Sequence, residues 1–137
     1  MERSLSVILP VHNAQATISA TVTETLEAVA DLAEQFELVI VDDGSVDATC
    51  EVVDELIRAY PQVNSIRHGA HLGHGAAVRS GLKHSQGEII VLHDPAAGDA
   101  RGGYQMADRQ TMERIHGASR PARPNYLSRL REFAMGE

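Results

Sequence analysis

Short apolar runs of strand length alternate with longer segments at helical spacing along most of this chain. Residues 6–11 (SVILPV) are a β-branched run that ends in polar His12 and Asn13, the pattern of a strand entering a loop. Ile18, Val22, Leu26, Val29 and Ala33 then recur every three or four positions, so they share one face of a helix. Residues 36–41 (FELVIV) are almost continuously apolar, as expected of a strand covered on both faces in a parallel sheet. Asp42, Asp43, Gly44 and Ser45 break that run. Asp47 is placed to N-cap a second helix with Val52, Val53, Leu56, Ile57 and Tyr60 on its apolar side, and Pro61 stops it. A weaker strand over 63–68, a glycine-rich turn, a short helix through Ala77, Val78 and Leu82, and a strong strand over 88–93 complete the regular part.

Four strands separated by three helices predict an α/β domain with right-handed crossovers and a mainly parallel sheet, a Rossmann-like α/β/α sandwich. After Asp94 the pattern changes. Residues 95–103 are small and turn-rich, 104–116 predict a helix, 120–124 (RPARP) an extended stretch and 126–135 a last helix. At 137 residues the chain has room for one core. No apolar run approaches the roughly 18 residues of a spanning helix, and no leader is evident at 1–7, so a cytoplasmic protein without an integral membrane segment is expected. Cys50 is the single cysteine, which excludes an internal disulfide and a cysteine-based metal site and predicts a buried, inert thiol.

Charge adds one further feature. The formal net charge of −7 disfavours nucleic acid and anionic membrane as partners. The acids concentrate in residues 1–60, whereas residues 101–137 carry seven arginines against four acids. That asymmetry allows the basic C-terminal part to return onto its own acidic half or onto another subunit; a solvated charged face is the alternative.

In an open parallel sheet, ligands bind beyond the carboxyl ends of the strands, so the loops after residues 11, 41, 68 and 93 should share one crevice. They hold His12 and Asn13, then Asp42 and Asp43, then Gly69, His71, Gly73, His74 and Gly75, then Asp94. An acidic pair at the end of a rigid strand can accept hydrogen bonds from nucleobase N–H groups or ribose hydroxyls; helix capping and turn formation are the competing use of the same residues. His68, His71 and His74 have a spacing that would suit a metal on one helical face, but the intervening glycines argue for a loop of scattered polar residues. Gly73-x-Gly75 lacks the third glycine of a dinucleotide fingerprint, and Lys83, the only lysine, sits in no phosphate loop, so no organic cofactor is expected. No hydrolase triad is evident.

Residues 6–13 (SVILPVHN), 37–47 (ELVIVDDGSVD), 73–81 (GHGAAVRSG) and 87–94 (GEIIVLHD), in this order and spacing, resemble successive motifs of the family 2 glycosyltransferases, the glycine-rich stretch being most similar to the dolichol-phosphate sugar synthase branch. The resemblance implies a GT-A fold with a nucleotide-sugar-binding core over residues 1–94. It implies a nucleotide-diphosphate sugar of the UDP or GDP type as partner. Pro10, His12 and Asn13 then match the loop against the base, Asp43, with Asp42 beside it, the carboxylate at base or ribose, and Gly73 and Gly75 the loop passing close to the nucleotide. Glycine there permits close backbone approach, and the following helix N-terminus favours negative charge.

The resemblance also implies Mg²⁺ or Mn²⁺ held by an Asp-x-Asp after the fourth strand, with Asp94 as a ligand. This chain reads Asp94-Pro95-Ala96, so the second carboxylate is absent, and Asp99 is a poor substitute because the strand end sets ligand geometry. The family follows this motif with an acceptor-binding half, whereas here a shortened, arginine-rich segment over 95–137 follows, and none of Asp108, Glu113 and Glu132 stands out as the base an inverting transferase needs. Two expectations result: a small glycosyltransferase, or an inactive relative that keeps the crevice and serves as a binding, regulatory or assembly module. Loss of the acceptor half should leave apolar surface to cover, which predicts a homo-oligomer, a dimer, with the tail closing that surface within or between chains through Tyr126, Leu127, Leu130 and Phe133.

Overall fold

The computed structural model describes residues 3–93 and 103–117, which form five strands and four helices. In chain order these are β1 (Leu5–Val11), α1 (Ile18–Ala30), β2 (Phe36–Asp42), α2 (Thr49–Ala59), β3 (Val63–Arg67), α3 (His74–His84), β4 (Ile89–His93), β5 (Tyr104–Asp108) and α4 (Arg109–His116). The sheet runs β3-β2-β1-β4-β5. The first four strands pair in parallel and β5 adds antiparallel to β4. The chain therefore builds outward from β1 to β3, then returns to the other side of β1, leaving a topological switch point between β1 and β4.

Alternation along the central strands sorts the core into two layers. Val7 and Leu9 of β1 with Leu38 and Ile40 of β2 face the layer that includes Ile18, Val22 and Val29 of α1 and Val53 and Leu56 of α2. Ile8, Val39 and Val41 face Ala77, Val78 and Leu82 of α3 and Met112 of α4. A strand buried on both sides cannot show polar alternation, which is why residues 36–41 read as a continuous apolar run. Pro10 is tolerated in this central strand because the β1–β4 pairing ends at Ile8 and Leu92, two residues before its missing N–H.

Three expectations are corrected. Residues 104–116 are not one helix: Tyr104–Asp108 is a strand, because the open edge of β4 offers five backbone partners, and the helix begins only where Asp108 accepts the N–H of Thr111 at 2.8 Å. Asp47 is not the N-cap of α2. Ala48 occupies that position, and Asp47 Oδ1 takes the Thr49 N–H at 2.9 Å from one residue further out. Cys50 is half-buried, and Arg67 Nη1 donates to its sulfur at 3.0 Å. Ala33 is buried as its spacing suggested, but it lies in the turn beyond the end of α1. The expectations for 95–102, 120–124 and 126–135 fall outside the described residues.

Candidate functional site

The loops that follow β1, β2 and β3 meet at Asp43. Its side chain is buried, and both carboxylate oxygens are occupied. Oδ1 accepts from His68 Nδ1 at 2.7 Å and from the Leu72 N–H at 2.9 Å. Oδ2 accepts from the Gly73 N–H at 2.9 Å and faces His71 Nδ1 at 3.1 Å. A carboxylate offers about four acceptor positions, so Asp43 is saturated by the loop that precedes α3. Burial pushes its pKa up, but the hydrogen bonds from His68, Leu72 and Gly73 and the nearby His71 ring outweigh that, and the group lies below the ordinary aspartate value of 3.8.

The first loop closes on the same point from the other side. His12 Nδ1 donates to the Asp43 carbonyl at 2.9 Å, and its ring lies 4.0 Å from that of His71, centroid to centroid. Asn13 adopts a left-handed φ of 52°, donates its N–H to Ser45 Oγ at 2.8 Å and accepts the Val46 N–H on Oδ1 at 2.9 Å. Both turns are thereby held as one surface. Asp42 is buried beside it, with Oδ1 on the Ser45 N–H at 3.0 Å and Oδ2 without a hydrogen-bond partner.

Two glycines allow this approach. Gly44 has a φ of +71°, and a Cβ there would collide with the backbone of Ala70 and His71, so the β2 and β3 loops can touch only through a residue without a side chain. Gly73 has a φ of +104° and precedes α3, with open space where a Cβ would stand. Gly75 lies in the first turn of α3 beside the Arg79 guanidinium. The N-terminal N–H groups of α3 thus open beside the loops, where a negative group is favoured.

Of the residues singled out from the sequence, the fold brings His12, Asn13, Asp42, Asp43 and Gly73 together, with Pro10 just below in β1 and Gly75 in the first turn of α3. Asp94 lies outside the described residues, as do Ala96 and Asp99. His68 and His71 were read as scattered polar loop residues and are instead partners of Asp43. His68 continues to Ser80 Oγ of α3 at 2.8 Å through Nε2, a contact with no signature in sequence spacing. Among the described residues no group of three or more His, Cys, Asp or Glu side chains is arranged to hold a metal ion. An open pocket of about 580 Å³ adjoins the site between the β2 and β3 loops, lined in part by Gly44, Asp47, Arg67 and His68.

The family model described as glycosyl transferase family 2 matches residues 6–95. The chain belongs to this family. It is 30% identical over 115 residues to a dolichyl-phosphate beta-glucosyltransferase of Trichomonas vaginalis, covering 80% of this chain and 34% of that protein. It is 31% identical over 91 residues to the undecaprenyl-phosphate 4-deoxy-4-formamido-L-arabinose transferase of Edwardsiella ictaluri, covering 66% of this chain and 28% of that protein. Among solved structures it is similar to a mannosyltransferase from Pyrobaculum calidifontis in complex with GDP-Man and Mn²⁺, with a TM-score of 0.57 and 25% identity over 69% of this chain and 28% of that one. S. aureus TarS in complex with UDP is similar over the same share of this chain, with a TM-score of 0.53, 28% identity and 27% of that chain covered. The family 2 domain described here thus spans about a third of the length of these curated relatives or less. None of its described helices is long and apolar enough to cross a membrane.

Proposed function

We propose that this family 2 domain binds the nucleotide diphosphate of a UDP or GDP sugar in the crevice closed by Asp43. The observation that carries the reading is the convergence of three strand-end loops on that one residue, the β3 loop at its carboxylate and His12 of the β1 loop at its carbonyl, with the N-terminus of α3 opening beside them. The structural relatives that hold GDP-Man and UDP support the ligand class. In this reading His12 and Asn13 border the base, Asp42 supplies the acceptor Oδ2, and Gly73 and Gly75 let the phosphates approach the backbone of α3. His71 is the exposed member of the set, its side chain 55% accessible, and its contact at Asp43 Oδ2 is the one a base or ribose donor can replace.

Transfer of the sugar is a separate question, on which the sequence favours an inactive binding module. A hard cation on a diphosphate normally uses one or two carboxylates, and the donor set at 94–96 is Asp-Pro-Ala, one carboxylate short of the family pair. That set does not fit the ion as the family holds it. Calorimetry with UDP and GDP, each with and without Mn²⁺, tests the reading on the full chain. Binding that Asp43→Asn weakens at least about tenfold supports it, a loss of the size expected for breaking a buried charged hydrogen-bond set. Absence of heat with either nucleotide overturns it.

A further inference from the structure

Ser80, His68 and Asp43 stand in one line of hydrogen bonds. Ser80 Oγ lies 2.8 Å from His68 Nε2, and His68 Nδ1 lies 2.7 Å from Asp43 Oδ1. Asp43 is buried and takes two backbone N–H groups, from Leu72 and Gly73, besides the imidazole. An ionised carboxylate only accepts, so the ring proton sits on Nδ1 and Nε2 turns its lone pair to the serine hydroxyl. Hydroxyl to imidazole to buried carboxylate is the order of partners that makes a serine nucleophilic. The His68 side chain is 9% exposed, which holds the ring in place, whereas Ser80 is only half-buried. No sequence spacing marks the three residues, because positions 43, 68 and 80 become neighbours only through the strand order.

A cavity adjoins the pair. Ser80 and His84 are one turn apart on α3 and share a face of that helix. His68 extends β3 by donating its N–H to the Asp42 carbonyl at 2.9 Å, so it alternates to the same face as Ile66. Ile66 and His84 both line a pocket of about 470 Å³, together with Glu37 and Asn64. Its nearest wall is therefore about 6 to 7 Å from Ser80 and His68, the length of one helical turn or of two strand residues. Apolar and polar side chains mix in that wall, which suits a small ester rather than a long lipid chain.

We propose that Ser80 is an acyl-accepting nucleophile toward small activated carboxylic esters, with His68 as its general base and Asp43 as the residue that positions the base. Ser80 Oγ bonds to the ester carbonyl carbon while its proton passes to His68 Nε2. The bond from that carbon to the ester oxygen then breaks, and the departing alcohol takes the proton from Nε2. Water cleaves the resulting ester on Ser80 by the same exchange, with His68 again as base, and releases the acid. Ser80 lies inside α3, whose N–H groups are engaged in the helix ladder, so the nucleophile brings no backbone donor for the oxyanion. The acceleration is therefore that of general-base catalysis alone, about 100-fold. Neither Ser80 nor His68 contacts the nucleotide in the function proposed above, so the two activities stand or fall separately.

The test is brief exposure of the full chain to p-nitrophenyl acetate, an acid quench, and mass mapping of the acetylated residues. Ser19, an exposed serine on α1, is the internal reference. Acetyl-Ser80 should form about 100-fold faster than acetyl-Ser19. His68→Asn keeps a side-chain N–H for Asp43 Oδ1 and removes the base at Nε2, so it should bring Ser80 down to the rate of Ser19 while circular dichroism shows the helices retained. Ser80→Ala, which leaves the His68–Asp43 pair in place, should lose the fast release of p-nitrophenol shown by the native chain. Equal rates at Ser80 and Ser19 in the native chain overturn the proposal. So does fast release that survives in Ser80→Ala, which would assign the acetyl group to an exposed imidazole such as His71.

Discussion

Asp43 holds the backbone N–H of Gly73 at 2.9 Å across thirty positions of sequence. That bond fixes the entry to α3 against the end of β2, so the glycine loop is shaped by a side chain one helix and one strand earlier in the chain. Asp43→Asn keeps one acceptor oxygen and turns an amide N–H₂ toward donors already present. Loss of the charged acceptor and of satisfied donors is expected to cost about 3 kcal/mol of folding stability. Denaturant unfolding followed by circular dichroism checks it. A loss below about 1 kcal/mol would show that the loop keeps its shape without the carboxylate.

The same carboxylate sets a pH dependence. Its pKa in the folded chain lies below the ordinary value of 3.8, so the unfolded chain binds the proton more readily. The stability it contributes is therefore full above about pH 3.8 and is lost as pH falls through the lower folded value. Between pH 5 and acid conditions below that value, the native chain should lose denaturant midpoint more steeply than Asp43→Asn, with the two curves converging at the acid end. Parallel curves would mean that another carboxylate controls acid unfolding.

His68 joins Asp43 to α3, its Nδ1 on the carboxylate and its Nε2 at Ser80 Oγ. With the ionised carboxylate accepting, Nδ1 carries the proton, which leaves Nε2 of the neutral ring to accept from the serine hydroxyl. His68→Ala removes both links and leaves a buried carboxylate oxygen short of a donor; the expected cost is about 2 kcal/mol, against about 1 for Ser80→Ala. Equal losses in thermal unfolding would place the importance in the Ser80 contact alone.

The order of strands and helices was legible because buried parallel strands and helix faces write their periodicity into the residues nearest in sequence. Residues 36–41 and the face Ile18, Val22, Val29 needed no partner to be recognised. β5 was not legible. Its five residues become a strand through pairing with β4, and the neighbouring Arg109–His116 helix blurred the period. The acidic pair and the glycine turn were recognisable by type and position, but the link between them was not. Asp43 meets His68, Leu72 and Gly73 over separations of 25, 29 and 30 residues, and only the strand order decides that those segments become neighbours. His68 and His71 were passed over for the same reason.

Arg109 locks α4 to the end of α3, its neighbour on the same face of the sheet, with three donors. Nε reaches the Gly87 carbonyl at 2.7 Å, Nη1 the Leu82 carbonyl at 2.9 Å and Nη2 Ser85 Oγ at 2.8 Å. These acceptors close the end of α3 and the approach to β4, where Ser85 Oγ also donates to the Leu82 carbonyl at 3.0 Å. A lysine there has one ammonium in place of a planar fork and cannot satisfy all three in this geometry. Arg109→Lys should cost about 1.5 kcal/mol and Arg109→Ala about 3, read as a graded fall in melting temperature with nucleotide binding retained, because the residue lies at the end of the sheet away from Asp43. Identical stability of the two variants would reduce the role of Arg109 to packing.

Ala96→Asp restores the second carboxylate of the family motif and separates two defects. If the missing ligand is what keeps a divalent cation from the diphosphate, the variant should bind UDP or GDP at least about tenfold more tightly with Mn²⁺ than without, while the native chain shows little difference. Tightening without sugar transfer to any acceptor would mean that the chain lacks the groups that orient and deprotonate an acceptor as well as the metal ligand, since a cation stabilises the leaving diphosphate but takes no proton from the incoming hydroxyl. If Mn²⁺ has no effect on the variant, then a carboxylate at position 96 is insufficient, and the geometry of the segment carrying Asp94 is the deeper departure from the family. Comparing nucleotide affinity in the native chain and the variant, at one salt concentration and over a Mn²⁺ titration, distinguishes these outcomes without requiring that the natural sugar or acceptor be known.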